Sequence, residues 1–476
     1  MTLKPKLMLF SHISSTQSIT GAEKLLLSFC RQMESYFDCV LVVPCEGIIA
    51  RMAREAEIRV IIQPYELLHY MYIPYEQLRE DAAELMQHPS SQEVVQLLHE
   101  ENPHLIVSNT CVNVIPVMAA RILGIPAIWK LTEIIQTNPY TAEAIQFIDE
   151  HSDWVIAISH AVTEPLMHSS IPSKLTVLPP TWNEALAAPD EWEGLRQTQR
   201  KTLGLTPGHF CIGYISSFIY EAKGLKPFIQ SALLLCERFP HTRFWMIGTA
   251  VDTAYYEECI SLIQQSGFVH QFLFTDFIED VSCAYSAMDL AVIPSLVKEG
   301  FGMTALESMY FAKPVVAFQQ GGLAEMMESV DNGHLLVSPG DTEELAAKMI
   351  PFITNRKESA RTGQHNHAKA EQMYGPAAYE KRTASMVQQW VALFPDWFSD
   401  LHSARNIISL QAYQAANQPS PTKRKRRKKT KRSQAPLLKS KPRAKTKKRS
   451  TAITRKKRLR TKLGVRKQRK RARKAR

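Results

Sequence analysis

The chain reads as α/β: two doubly wound domains in series, followed by a long basic tail. Three observations carry this reading. Short apolar, β-branched runs recur between longer stretches with helical spacing. Those runs are continuous rather than alternating, as expected for parallel strands covered on both faces. The series occurs twice, which argues for two such domains.

The first series comprises 7–10, 40–43, 105–108, 127–131 and 154–158, with helical spacing at 22–33 and 112–123. A boundary is expected at 181–208, where a charged stretch without strand character ends in Thr206-Pro207-Gly208. The second series, 211–216, 243–247, 271–274, 290–293 and 314–317, should finish near 349–354. A strandless helical region follows at 366–417 and is expected to pack back across both domains. Trp390, Phe394, Trp397 and Phe398 recur at helical spacing and suit that docking. The resulting organisation is 1–183, a linker at 184–208, 209–355, a helical region at 356–418 and the tail at 419–476.

At 476 residues the chain can bury two or three sizeable cores. Its net charge of +12 conceals two opposite distributions. Residues 419–476 hold 30 of the 58 Lys and Arg and no acid, leaving 28 basic against 46 acidic residues, a net of −18, in the remainder. The tail is reduced to Lys, Arg, Ser, Thr, Pro and Ala with isolated leucines, too little apolar surface to offset its ordering entropy, and is expected to be disordered. Its basic blocks suit a polyanion: an anionic membrane surface, nucleic acid, or an acidic polymer. It has no aromatic residue for base stacking, so any nucleic-acid binding should be non-specific and salt-dependent. The eight cysteines form no C-x-x-C pair and are expected as buried, reduced thiols. Nothing reaches the length of a membrane span, and Lys4 and Lys6 precede only 7–10 as an apolar run, so a cytosolic body is expected.

Ligands of doubly wound domains bind beyond the carboxyl ends of the strands. After 290–293 comes Pro294-Ser295-Leu296-Val297-Lys298-Glu299-Gly300-Phe301-Gly302-Met303-Thr304-Ala305-Leu306-Glu307. Glu299 falls in a glycine-bracketed loop, and Glu307 falls in the following helix, facing the same cleft. Gly300 and Gly302 let backbone approach a ligand, and the helix start offers amides to a phosphate. Ionised carboxylates accept hydrogen bonds from vicinal diols. Either glutamate alone would read as a solvated acid; the surrounding pattern argues otherwise. His12, after the first strand, lines the cleft or is satisfied by backbone. His151, His160 and His168 lack metal-ligand spacing, and no metal cluster is seen.

Glu299 and Glu307, with seven residues between them, resemble the E-x7-E motif of retaining GT-B glycosyltransferases, particularly glycosyltransferase family 4, whose domain is known as glycosyl transferases group 1. The resemblance continues in order through Ala312-Lys313-Pro314, Gly321-Gly322-Leu323-Ala324-Glu325, Asn332-Gly333 and Pro339-Gly340-Asp341, and upstream through Lys223-Gly224, Leu123-Gly124-Ile125-Pro126 and Thr20-Gly21-Ala22-Glu23. It covers roughly 5–355. It implies a GT-B architecture: an acceptor-side Rossmann-like domain facing a nucleotide-sugar-binding one across a cleft. Glu299 would contact donor-sugar hydroxyls, Glu307 the ribose diol, and Lys223 the diphosphate, with Glu299 and Lys223 carrying the chemistry. Gly21, Gly300, Phe301, Gly302, Met303 and Thr304 would complete the donor site, with the base near Phe277 and Pro294. His12, Lys130 and Glu133 would lie on the acceptor side or in the cleft.

The resemblance further implies a UDP-, GDP- or ADP-sugar donor, no cofactor and no catalytic metal. It also implies hexose transfer with retention to a glycan, lipid-linked or surface-polymer acceptor, in the cytoplasm or peripherally at the inner face of the membrane. Several positions depart from the family pattern, two of them in ways that bear on activity. Ser216-Ser217 stands where a Gly-Arg pair is usual, and Lys130 where many relatives have histidine. These departures support the alternative of a non-catalytic GT-B-like scaffold, tethered through its tail to an anionic polymer, membrane or nucleic acid.

Overall fold

The computed structural model describes residues 4–183 and 186–398. The tail, and the part of the expected helical region beyond 398, lie outside the described residues. Strands β1 (Lys6–Phe10), β2 (Asp38–Val43), β3 (Arg59–Ile62), β4 (Leu105–Asn109), β5 (Ala127–Leu131), β6 (Trp154–Ala157) and β7 (Leu175–Val177) form a seven-stranded sheet in the order β3-β2-β1-β4-β5-β6-β7. Strands β8 (Phe210–Ile219), β9 (Thr242–Ala250), β10 (Phe272–Thr275), β11 (Leu290–Ile293), β12 (Val315–Phe318) and β13 (Leu336–Val337) form a six-stranded sheet, β10-β9-β8-β11-β12-β13. Every pairing is parallel, with Leu7 opposite both Cys39 and Leu105, and Leu290 opposite Ile212. Strand order reverses between β1 and β4, and again between β8 and β11. Crevices open at such switch points, outside the carboxyl ends of the strands.

Each of the ten expected strand segments is found; β3, β7 and β13 were not anticipated. All three sit at sheet edges, where burial on both faces is unnecessary and the apolar run is short. Strand β8 runs further than expected, to Ile219, with a register shift between Ile215 and Phe218 that falls on Ser216-Ser217. The stretch 184–208, read as a linker, contains a helix, Trp192–Thr202. Its charged residues are internal partners. Arg196 and Arg200 both bind the Asp289 carboxylate (2.6 and 3.2 Å) and neighbouring carbonyls, so the charge that hid the helix in the sequence fixes it to the second sheet's domain.

Helix Arg356–Tyr374 packs on the second domain, where a Cβ at Gly363 would lie 1.9 Å from the Ala312 carbonyl oxygen. After Gly375, helix Pro376–Leu393 joins the core of the first. Tyr379, Met386, Val387 and Trp390 cluster with Leu7, Leu9 and Trp154. Phe394 lies edge-on to Trp154 at 5.8 Å, and Phe398 lies 5.9 Å from Phe37. All eight cysteines are free thiols, but Cys45 is exposed and Cys283 half-buried, against the expectation of uniform burial. Among the described residues no helix is long and apolar enough to cross a membrane.

Candidate active site

The carboxyl ends of β1 and β5 face those of β8 and β11 across a cleft of about 410 Å³. On the β8 side the chain passes through the turn Glu221–Lys223 to Gly224, whose φ of +74° and ideal Cβ position 1.7 Å from the Pro294 carbonyl oxygen both demand glycine. Leu296 N donates to the Ala222 carbonyl at 2.9 Å, tying the loop after β11 to this turn. The same loop is held from behind: Gly322 N donates to the Glu299 carbonyl at 2.7 Å. These backbone contacts place two side chains together. Lys223 Nζ donates to Glu299 Oε1 at 2.7 Å, and Ser295 Oγ donates to the same oxygen at 2.7 Å.

The Lys223 and Glu299 side chains are 28% and 22% exposed, so the pair is accessible from the cleft. Burial alone would push Glu299 up; the Lys223 charge and the two hydrogen bonds outweigh it and hold the carboxyl below its ordinary range. Burial would likewise lower Lys223, but the facing carboxylate raises it. Both groups are therefore charged near neutral pH.

Gly302, at φ +104°, ends the loop and starts helix Met303–Tyr310, turning the first amides of that helix toward the cleft. Phe301 contributes backbone only. Its ring is buried against Tyr374 at 5.3 Å, so the side chain is structural. Glu307 is buried one turn on; Tyr285 Oη donates to its Oε2 at 2.8 Å. Lys24 Nζ, from the opposite domain, lies 3.8 Å from its Oε1. Glu307 thus faces a side cavity of about 70 Å³ that shares Gly21, Ser216, Ser217, Met303 and Thr304 with the cleft. Phe277 lines this side cavity and Pro294 the main cleft.

On the other wall, Thr20 and Glu23 form a reciprocal cap at the start of helix Gly21–Met33. Thr20 N donates to Glu23 Oε2 at 2.7 Å, and Glu23 N to Thr20 Oγ1 at 3.3 Å. Gly21 and the first amides therefore sit in the cleft wall. Burial pushes Glu23 up to about 7, against the opposing hydrogen bonds from Thr20. Because this exceeds the ordinary 4.5, the ionised form is penalised on folding. The penalty is absent below the unfolded value and complete above the folded one, so stability falls as pH rises between them. Glu23→Gln should be more stable than the parent by on the order of 2–3 kcal/mol at about pH 8, with the gain vanishing near pH 4.5. Urea melts at the two pH values measure this.

His12 and Glu133 line the cleft. Burial and the nearby His69 push His12 down to about 4, leaving a neutral ring whose Nδ1 has no protein partner. Glu133 Oε2 accepts from Cys111 N at 3.0 Å. Lys130 does not share their position. It is 2% exposed, lines neither the cleft nor the side cavity, and points to Asn109 Oδ1 at 3.3 Å. Burial pushes it down to about 8, against the pull of Glu133. A lysine following Trp129 in a strand covered on both faces has no route into the cleft.

Beside the Lys223–Glu299 pair the cleft opens into a larger cavity of about 1470 Å³, whose walls include Tyr72, Ile134, Ile145, His168 and Val297. Several contacts close the two domains on each other. Ser159 Oγ donates to the Gly300 carbonyl at 2.6 Å, the Glu325 carboxylate accepts from His160 N and Ala161 N at 3.1 and 2.9 Å, and Arg51 pairs with Glu279. Ser295, Tyr285 and Lys24 were not anticipated. Only Lys24 carries a sequence signal, a cation in the first turn of a helix, where the dipole disfavours it. Among the described residues no group of three or more His, Cys, Asp or Glu side chains is placed to hold a metal. The arrangement offers a cation and two helix starts to an anionic group, carboxylates to hydroxyls, and space alongside for a second reactant.

The sequence profile described as "Glycosyl transferases group 1" matches residues 209–355. The chain is 30% identical over 167 residues to 2-deoxystreptamine glucosyltransferase of Streptomyces kanamyceticus, covering 34% of this chain and 41% of that one. It is 29% identical over 167 residues to D-inositol 3-phosphate glycosyltransferase of Rhodococcus erythropolis, covering 34% and 37%. The match thus spans about two fifths of the length of these curated relatives. Anabaena HepE, solved in complex with UDP and glucose, superposes with a TM-score of 0.67 at 22% identity, over 81% of this chain and 99% of that one. Sucrose-phosphate synthase from Thermosynechococcus elongatus gives 0.63 at 17% identity, over 82% and 100%. These likenesses establish the GT-B fold.

Proposed function

We propose, starting from a chain whose residues 209–355 belong to the glycosyl transferases group 1 family, that this protein transfers a sugar from a nucleotide sugar with retention of anomeric configuration. The observation that carries the reading is the Lys223–Glu299–Ser295 cluster, beside the start of helix Met303–Tyr310 and facing the start of helix Gly21–Met33 across the interdomain cleft. Lys223 and the amides of Met303 and Thr304 suit a diphosphate leaving group, where fixed positive charge stabilises the charge that develops. Glu299 suits the sugar hydroxyls and Glu307 a ribose diol. The adjoining large cavity suits the acceptor, a glycan, lipid-linked or surface-polymer hydroxyl compound. A hexose on UDP is the favoured donor, in line with the UDP and glucose bound by HepE and with the glucosyltransferase among the relatives.

Titration of UDP-, GDP- and ADP-glucose into the full chain, beside Glu307→Ala, tests this. UDP-glucose is expected to bind saturably, and the substitution should weaken it at least about tenfold. The Glu307→Ala arm also separates the cleft from any non-specific nucleotide binding by the tail. Equal binding by both proteins, or none by the parent, would remove the donor-site reading.

A further inference from the structure

The segment after β8 carries no cation beside Lys223. Ser216 and Ser217 occupy the register shift of that strand, and the Ser217 hydroxyl is committed to the Ile19 carbonyl at 3.2 Å. A nucleoside diphosphate with one lysine would be under-neutralised on the side facing the helix Gly21–Met33. Lys24 is placed on that side. It stands in the first turn of the helix, where the dipole makes a positive charge unfavourable by roughly 0.3–1 kcal/mol, so the helix itself does not account for its position. It is 21% exposed and lines the side cavity with Gly21, Thr304 and Glu307.

The partner of Lys24 is informative. Its distance of 3.8 Å to Glu307 Oε1 is too long for a direct hydrogen bond, whereas Tyr285 holds the other carboxylate oxygen at 2.8 Å. Glu307 is thus fixed by its own domain and only balanced in charge by Lys24. An ammonium has three donors to give, and the cavity shared with the cleft puts the starts of both helices within the same space.

We propose that Lys24 is the second phosphate-binding cation of the donor site, supplied from the opposite domain. The diphosphate of the nucleotide sugar is then gripped across the cleft, by Lys223 from one wall and Lys24 from the other. Lys24 turning toward phosphate leaves Glu307 Oε1 to a ribose hydroxyl. Nucleotide binding and domain closure are coupled through this contact, because neither domain alone holds both cations. The inference rests on the donor-site reading above.

The test is titration of UDP, with uridine followed by ligand-observed NMR, into the full chain near physiological ionic strength. The proteins are the parent, Lys24→Met and Lys24→Arg, each checked by thermal melting. Lys24→Met is expected to weaken UDP at least about tenfold and leave uridine unchanged, with Lys24→Arg restoring most of the loss. UDP affinity unchanged in Lys24→Met overturns the proposal. An equal loss for UDP and uridine overturns it too, assigning Lys24 to holding Glu307 and the domains instead. A parent that binds neither ligand defeats the donor-site reading itself, and the inference falls with it.

Discussion

Glu299→Gln is expected to lower sugar transfer by about a hundred- to a thousandfold while leaving UDP affinity unchanged or tighter. The two halves of this expectation come from one carboxylate oxygen. Glu299 Oε1 accepts from both Lys223 and Ser295 at 2.7 Å, so the carboxylate and the lysine neutralise each other in a half-buried setting. Glutamine keeps the shape and an acceptor oxygen but removes the charge. Lys223 then faces the diphosphate without a competing anion, which favours UDP. The donor sugar loses its charged acceptor, and hydrogen bonds to an ionised group are roughly twice as strong as neutral ones. If that contact strengthens as the glycosidic bond breaks, the loss appears in kcat rather than in KM. Steady-state kinetics beside UDP titration separates the two. Transfer falling in step with UDP affinity would make Glu299 only the partner that positions Lys223. Full activity would remove Glu299 from the site.

How far this site was legible in the sequence depends on the range of each contact. The central strands could be read because burial on both faces forces an uninterrupted apolar run, as in β1, β4 and β11. Edge strands β3 and β7 escape that requirement and left only short runs to read. The loop after β11 could be read because its glycines, its two glutamates and the start of the following helix lie within one short segment. Lys24 and Glu307 could not be paired in advance, since nothing local links two residues that meet only when the domains close. Lys130 shows the reverse error. Its place in the motif suggested a cleft position, but side-chain direction is set by tertiary packing, which buries it beside Asn109; Phe301 does line the cleft, with its ring against Tyr374. The helix Trp192–Thr202 was hidden because its arginines look solvated in sequence, while Asp289, far along the chain, makes them internal.

Domain closure itself is open to a single-atom test at Gly300. An ideal Cβ there would lie 2.0 Å from the Thr132 carbonyl oxygen and 3.3 Å from Ile158 Cδ1, both in the opposite domain. The obstacle is backbone, which cannot swing aside as a flexible side chain would. The Gly300 carbonyl is also engaged from across the cleft by Ser159 Oγ at 2.6 Å. Gly300→Ala therefore leaves each sheet intact and drives the two walls apart at the position where Glu299 is proposed to meet the donor. Misplacing reacting groups by about 1 Å costs roughly a hundredfold in rate, so transfer should fall by about that factor or more. Gly333→Ala is the matched control: it adds the same methyl 3.4 Å from the Glu328 side chain, an ordinary contact within one domain. Small-angle scattering should show Gly300→Ala more open than the parent, with thermal unfolding little changed because the cores are untouched. An open, inactive Gly300→Ala beside an active Gly333→Ala would place the chemistry between the domains. A Gly300→Ala protein that transfers normally would mean that this close approach is not required, and that one domain assembles the reacting groups by itself.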